Sequence, residues 1–151
     1  MQKADTGDFR PFDASGWSLG IVVAAFNRNI TEQLYESALA RAAEYKIADQ
    51  SIETVRVAGA MEIPLAAQYL ARKQTHRVLM AIGCVIKGET PHFEYVCKFA
   101  TEGILRVQLD HSVPIGFGIL TCDSVAQAQA RAQLGADHLD AAFCLAKILE
   151  A

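Results

Sequence analysis

The stretch RVLMAIGCVIKGETPHFEYV, residues 77–96, contains the unit on which the fold depends. Its first part, Arg77 to Ile86, is an almost unbroken apolar run, which predicts a strand covered on both faces. A short loop, Lys87 to Pro91, separates this run from a long amphipathic helical pattern between His92 and His111. A buried strand that leads through a short loop into a helix is the repeating element of α/β proteins.

The same alternation continues on the amino-terminal side. Leu19 to Phe26 is apolar and predicts a second buried strand. A helical pattern follows, with Asn29 as its predicted cap and Glu32 at the capping-box position. Ser51 to Val57 predicts another strand, and Glu62 to Arg72 predicts the helix after it.

On the carboxyl-terminal side, Val113 to Leu120 predicts the fourth strand. Asp123 or Ser124 is expected to cap a helix that runs to about residue 134, where Gly135 breaks it. A last helix is expected from about residue 137 to Leu149. Strands that alternate with helices predict an α/β fold with a parallel sheet covered on both faces.

Length and patterning predict one domain with a short arm. The 151 residues are enough for a single sizeable core. Residues 1–16 are polar, mixed in charge and rich in Asp and Gly, so we predict an N-terminal arm there. Residues 17–151 are predicted to form the α/β domain.

Composition excludes several classes of function. The net charge is −3 and no basic patch stands out, which argues against a nucleic-acid partner. No apolar run has the length of a signal peptide core or a membrane span, so we expect a cytoplasmic protein without a membrane partner. The four cysteines form no C-x-x-C pair and lie at no zinc-ligand spacing with a histidine, so we expect buried free thiols and no metal site.

Ligands of parallel α/β sheets bind beyond the carboxyl ends of the strands. The four predicted strand ends should therefore converge on one site. They are residues 26–27, 58–62, 84–90 and 121–122.

The loop before His92 carries the strongest chemical signal. Gly88 allows close approach of the backbone to a ligand, and the N–H groups of the following helix start favour an anion such as phosphate. His92 would act there as a proton-accepting group, whereas the simpler alternative is a cap histidine on a tight loop. The remaining histidines, His76, His111 and His138, are interpreted as surface residues.

Three other positions allow both a functional and a structural interpretation. Phe26 could stack on a heteroaromatic ring or belong to the core. Glu62 could contact a ligand or simply favour the positive end of a helix. Arg131 could bind phosphate if it faced the loop, or be a solvated helical arginine.

Taken together, four blocks of this sequence resemble the lumazine synthase family. They run in order from about residue 19 to residue 149: Phe26-Asn27, Gly59-Ala60-Met61-Glu62-Ile63-Pro64, Gly83 to Val96 with its V-I-K-G-E-T-P-H-F core, and Phe117 to Thr121 followed by Gln127-Ala128 and Arg131. The resemblance implies a flavodoxin-like three-layer α/β/α sandwich with a four-stranded parallel sheet.

The resemblance also implies an activity, which is the condensation of 5-amino-6-(D-ribitylamino)uracil with 3,4-dihydroxy-2-butanone 4-phosphate, without a cofactor. His92 would shuttle protons. The pyrimidine and its ribityl chain would be held by Phe26, Ala60, Met61, Glu62, Cys84, Val85, Ile86 and Phe117. The phosphate would be held by Glu89, Thr90 and Arg131.

The implied partner is a second copy of the chain. The family forms pentamers whose active sites are shared, so Phe117 and Arg131 would come from a neighbouring subunit. A sixty-subunit shell stays open, because the turn at residues 132–138 departs from the family's glycine- and lysine-rich pattern and has no lysine. That departure also puts a second cationic phosphate contact in question.

Two further classes of function remain as alternatives. One is a non-catalytic scaffold of the same fold, which binds a flavin or lumazine or builds a shell without turnover; Glu89, Thr90, His92 and Arg131 together argue against it. The other is a flavodoxin-like electron carrier or a signalling receiver. It is disfavoured because no Ser/Thr/Gly-rich phosphate loop follows the first strand and no acidic pair ends it.

Overall fold

A four-stranded parallel sheet forms the centre of the molecule in the computed structural model, which describes residues 7–150. The strands are β1 (Leu19–Ala24), β2 (Ile52–Val57), β3 (Val78–Ile86) and β4 (Ile115–Cys122), in the order β2-β1-β3-β4. The predicted α/β class and the four parallel strands are confirmed.

Helices cover both faces of this sheet. They are α1 (Arg28–Glu44), α2 (Ile63–Arg72), α3 (His92–His111), α4 (Val125–Ala130) and α5 (Gly135–Leu149), with one-turn 3-10 helices at residues 49–51 and 60–62. α1, α4 and α5 share one apolar core with the sheet, and α2 and α3 share a second core on the opposite face. The result is the three-layer sandwich that the sequence predicts.

The strands differ in how deeply they are buried. All six residues of β1 are buried, because this strand pairs with β2 on one side and β3 on the other. β2 lies at an edge and its residues are only partly buried. β4 lies at the opposite edge and is nevertheless mostly buried, so a continuous apolar run here predicts burial on both faces rather than a central position.

The predicted start of α1 is wrong. The helix begins at Arg28, after Asn27 in a left-handed conformation, so Asn29 lies inside the helix. Glu32 does not complete a capping box; its carboxylate pairs with Arg56 of β2. Tertiary contacts at the end of β1 decide this boundary, because the Asn27 side chain donates a hydrogen bond to the carbonyl of Cys84.

The carboxyl-terminal helices also differ from the prediction. Ser124 does cap α4, and its hydroxyl accepts a hydrogen bond from the N–H of Gln127. The helix ends at Ala130, however, and Gly135 begins α5 rather than breaking a helix. A Cβ at Gly135 would lie 2.1 Å from the carbonyl oxygen of Leu34, so glycine permits close contact between α5 and α1.

His76 is not the surface residue that the sequence predicts. Its side chain is 5% exposed and lies between two polar partners. Nδ1 is 3.0 Å from the hydroxyl oxygen of Ser18, and Nε2 is 2.8 Å from a carboxylate oxygen of Glu53. These contacts tie together the amino ends of β1, β2 and β3.

The four cysteines are free, as predicted, but only two of them, Cys84 and Cys122, are buried.

Residues 7–18, within the predicted arm and just beyond it, contain no helix or strand. The rings of Phe12 and Trp17 pack edge to face against each other and join the core formed by α1 and α5. Residues 1–6 of the predicted arm lie outside the described residues, and the boundary at residue 16 stays a prediction. No helix within residues 7–150 is long and apolar enough to cross a bilayer.

The contact between Gly135 and α1 can be tested by Gly135→Ala. We expect a loss of about 1–3 kcal/mol in the free energy of unfolding, because the added methyl group would overlap backbone atoms that cannot rotate away. This loss should exceed the gain of about 0.4–1 kcal/mol that alanine brings by restricting the unfolded chain. Denaturant unfolding at a fixed subunit concentration measures it.

Gly88→Ala is the matched control, because a Cβ there meets nothing within 4 Å. It should leave the midpoint of unfolding nearly unchanged or slightly higher. Equal midpoints for the two variants would show that α5 has room to move away from α1.

Candidate active site

Three of the four strand ends meet in one cavity of about 440 Å³. It is lined by the residues after β1, the turn before α2, the end of β3 and the start of α3: Phe26, Asn27, Gly59 to Glu62, Cys84 to Ile86, His92 and Val96. The fourth strand end, residues 121–122, does not line it. The volume suits a small organic molecule.

Phe26 presents an exposed aromatic ring at the end of β1. The side chain is 65% exposed, although its neighbours in β1 are buried. Its ring packs against Gly59, where a Cβ would lie 2.5 Å from a ring carbon. Gly59 therefore allows the ring to lie against the backbone of the turn, and the core interpretation of Phe26 is wrong.

Asn27 lines the cavity, as expected of a residue at the first strand end, but the sequence analysis gave it no role in the site. Its φ of 58° is in the left-handed region, and its Nδ2 donates a hydrogen bond of 2.8 Å to the Cys84 carbonyl. Asparagine tolerates this conformation better than most residues. An Asn directly after a buried strand was the available signal. The bond fixes the end of β1 to the end of β3, and both ends line the cavity.

Glu62 lies both at a helix start and at the cavity. It closes the 3-10 turn before α2, and its carboxylate accepts a hydrogen bond of 2.9 Å from the N–H of Gly59. It also lines the cavity together with Ala60 and Met61. A bound molecule would therefore meet a carboxylate whose position is held by the turn itself.

Cys84, Val85 and Ile86 form the wall contributed by β3. Burial raises the pKa of the Cys84 thiol to about 11, so this thiol is neutral at physiological pH. A neutral thiol is a poor nucleophile. The wall contributes shape and backbone polar groups rather than a reactive cysteine.

His92 is the first residue of α3 and lies exposed at the cavity, as the sequence predicts. Its N–H lies 3.4 Å from the Thr90 hydroxyl oxygen. Glu89 and Thr90 are exposed in the loop before it but do not line the cavity. The loop is attached to the sheet at its other end, where the N–H of Lys87 donates to the carbonyl of Cys122.

Phe117 and Arg131 lie apart from the cavity of their own chain. Phe117 is half-buried in β4 against the core of α2 and α3. Arg131 follows α4 as its C-cap residue, not as part of its helical face, and its guanidinium donates a hydrogen bond of 2.8 Å to the Gln127 carbonyl. Burial raises the pKa of the Cys122 thiol, and the nearby positive charge of Arg131 partly offsets this rise.

Eight predicted site residues thus line one cavity, and four lie outside it: Glu89, Thr90, Phe117 and Arg131. Among residues 7–150, no three Asp, Glu, His or Cys side chains are grouped to hold a metal ion.

A family model for 6,7-dimethyl-8-ribityllumazine synthase matches residues 16–150, which include every lining residue of the cavity. The chain belongs to the 6,7-dimethyl-8-ribityllumazine synthase family. Proteins named 6,7-dimethyl-8-ribityllumazine synthase resemble it over most of its length. That of Thermobifida fusca is 49% identical over 122 residues, which cover 81% of this chain and 69% of the relative.

Two other family members extend the match towards both ends of the chain. The protein of Coxiella burnetii is 42% identical over 141 residues, covering 90% of this chain and 93% of its own. That of Leptothrix cholodnii is 42% identical over 151 residues, covering 99% and 98%.

The hydrogen bond that joins the ends of β1 and β3 can be tested at Asn27. We expect Asn27→Ala to lower the free energy of unfolding by about 2–3 kcal/mol, because alanine is strained by roughly 1–2 kcal/mol in the left-handed region and also loses the hydrogen bond. Asn27→Gly should lose only about 1 kcal/mol, since glycine adopts this conformation freely. Denaturant unfolding measures both.

Asn29→Ala is the control, because Asn29 is exposed inside α1 and alanine favours a helix. It should be neutral or slightly stabilising. If Asn27→Ala were as stable as this control, the hydrogen bond to Cys84 would not hold the end of β1 against the end of β3.

Proposed function

We propose that this chain condenses 5-amino-6-(D-ribitylamino)uracil with 3,4-dihydroxy-2-butanone 4-phosphate to give 6,7-dimethyl-8-ribityllumazine, phosphate and water, the penultimate step of riboflavin synthesis. The observation that carries the proposal is the cavity itself, in which an exposed aromatic ring, a fixed carboxylate and a histidine meet at the strand ends of a chain that belongs to this family.

The pyrimidine is placed beside Phe26. Its ring would stack on the exposed phenyl ring, with the 60–62 turn and the 84–86 wall on either side. Backbone N–H and carbonyl groups of these two segments suit the alternating donors and acceptors of a uracil. The Glu62 carboxylate can accept a hydrogen bond from the substrate.

The phosphate is placed at the loop before α3. The space around Gly88 in this loop is open, since a Cβ there would meet nothing within 4 Å. The first N–H groups of α3 have no partner within the helix and favour an anion. Glu89 and Thr90 would contribute loop contacts, and the guanidinium of Arg131 would bind the phosphate oxygens.

The reaction needs proton transfers more than it needs a nucleophile. The aryl amine of the pyrimidine attacks the ketone, and loss of water gives an imine. Removal of a proton beside the imine allows the phosphate to leave as an enol forms. Tautomerisation, attack of the second amine and loss of another water close the ring. His92, exposed beside the cavity, is the group that we assign to these proton transfers.

Much of the rate enhancement would come from holding two substrates side by side. Departure of phosphate is assisted by positive charge and N–H donors at the leaving oxygens. The neutral Cys84 thiol takes no part in bond formation. No cofactor enters these steps. We also place the enzyme in the cytoplasm, where its four free thiols would stay reduced.

A second copy of the chain would complete the site. Phe117 and Arg131 lie outside the cavity of their own chain, so we assign them to the cavity of a neighbouring subunit in a pentamer. Large apolar side chains on α2 and α3 are exposed and would be covered in such an assembly: Leu65, Tyr69, Tyr95, Phe99, Leu105 and Leu109. Exposed apolar surface of this extent is typical of an interface between subunits.

The function is tested by an absorbance assay with the two substrates, which follows formation of the lumazine. A chain that binds the pyrimidine without turnover would instead support the scaffold alternative.

In the same assay, His92→Ala should lower turnover by about ten- to a thousandfold, as general acid–base groups contribute on this scale. The unfolding midpoint should not change, because His92 is exposed. His111→Ala is a control at the other end of α3 and should turn over normally. An unchanged rate for His92→Ala would remove this residue from the mechanism.

Shared sites predict complementation between two impaired variants. Mixing His92→Ala with Arg131→Ala subunits should restore part of the activity, because some interfaces would then combine an intact His92 with an intact Arg131. Light scattering should show a particle of at least five chain masses. A monomer that turns over at the full rate would exclude the shared site.

A further inference from the structure

We propose that Lys87 is a second cation that contacts the phosphate of the butanone substrate, in addition to Arg131. The inference rests on the proposed function, because it concerns the same substrate. It assigns a binding role to a residue that does not line the cavity but begins the loop between β3 and α3.

The charges around this loop favour more than one cation. A phosphate monoester carries a charge of about −1.5 to −2 at neutral pH. Two carboxylates lie near its expected position, Glu89 in the loop and Glu94 in the first turn of α3. Arg131 supplies one positive charge, and the turn that follows it, residues 132–138, contains no lysine or arginine.

Lys87 is placed to supply the missing charge. Its main chain is fixed, because its N–H donates a hydrogen bond of 2.9 Å to the Cys122 carbonyl. Its Nζ lies 3.9 Å from a carboxylate oxygen of Glu94, so the ammonium group reaches the first turn of α3. That turn contains the N–H groups to which the phosphate is assigned.

The pair with Glu94 leaves the ammonium group available. A distance of 3.9 Å exceeds that of a hydrogen bond, and about half of each side chain is exposed. The ammonium group can therefore turn towards a phosphate without breaking a hydrogen bond to Glu94. In the same position it also offsets the repulsion between Glu94 and the phosphate.

Steady-state kinetics of Lys87→Ala test the proposal. We expect the KM for the butanone phosphate to rise about tenfold, which corresponds to one charge-assisted contact, while the KM for the pyrimidine stays the same. Inhibition by inorganic phosphate should weaken in parallel, as it should for Arg131→Ala. Lys87→Arg keeps the charge and should retain most of the phosphate affinity.

Lys98→Ala is the matched control. Lys98 forms a similar exposed pair, 3.8 Å from Glu102, farther along α3. Its loss should leave both KM values unchanged. If the wild-type chain turns over but Lys87→Ala retains its affinity for the butanone phosphate, this inference alone is overturned. A wild-type chain without turnover would overturn the proposed function as well.

The double variant Lys87→Ala/Glu94→Gln separates direct contact from simple neutralisation of Glu94. If Lys87 contacts the phosphate, removing the Glu94 charge cannot replace that contact, and the KM for the butanone phosphate stays high. Full recovery of phosphate affinity in the double variant would show that Lys87 acts only by neutralising Glu94, and would overturn the proposal.

Discussion

The site depends on the parallel pairing of β1 with β2 on one side and β3 on the other. Parallel strands bring their carboxyl ends to the same edge of a sheet, so three loops that are distant in sequence must emerge together. Position 24 of β1 lies opposite Val57 of β2, and Val23 lies opposite Ile82 of β3. This register places Phe26, the 60–62 turn and the 84–86 wall around one cavity.

Contacts of single residues then fix the positions of the segments that the sheet brings together. Gly59 makes room for the Phe26 ring, and Asn27 binds the end of β1 to the end of β3. The carboxylate of Glu62 caps the turn in which it lies. The first two contacts each join two segments of the cavity wall and the third fixes one segment, so the binding surface is held in place before a substrate arrives. Such preorganisation favours a reaction whose main requirement is the alignment of two substrates.

One chain contains only part of the site that its sequence predicts. The cavity contains His92 and the residues assigned to the pyrimidine, whereas Arg131 lies after α4 and forms a hydrogen bond to its own helix. The exposed apolar surface of α2 and α3 gives a physical reason for self-association. In the proposed assembly, burying this surface would also bring a cationic group to the phosphate. Lys87 differs from Arg131 in this respect, since it lies in the loop that leads into His92 of its own chain and would need no neighbour.

The sequence by itself determined the fold class, the central strands and most of the cavity wall, because buried parallel strands need continuous apolar runs and ligand-binding residues follow their carboxyl ends. Tertiary structure alone decided where α1 begins and why Gly135 is a glycine, since these depend on contacts with Cys84 and Leu34 that are distant in sequence. It also decided that His76 is buried, because its partners Ser18 and Glu53 come from two other strand ends. Local sequence patterns predict the secondary structure that a segment prefers, whereas the close approach of two segments is determined only when the whole sheet has formed.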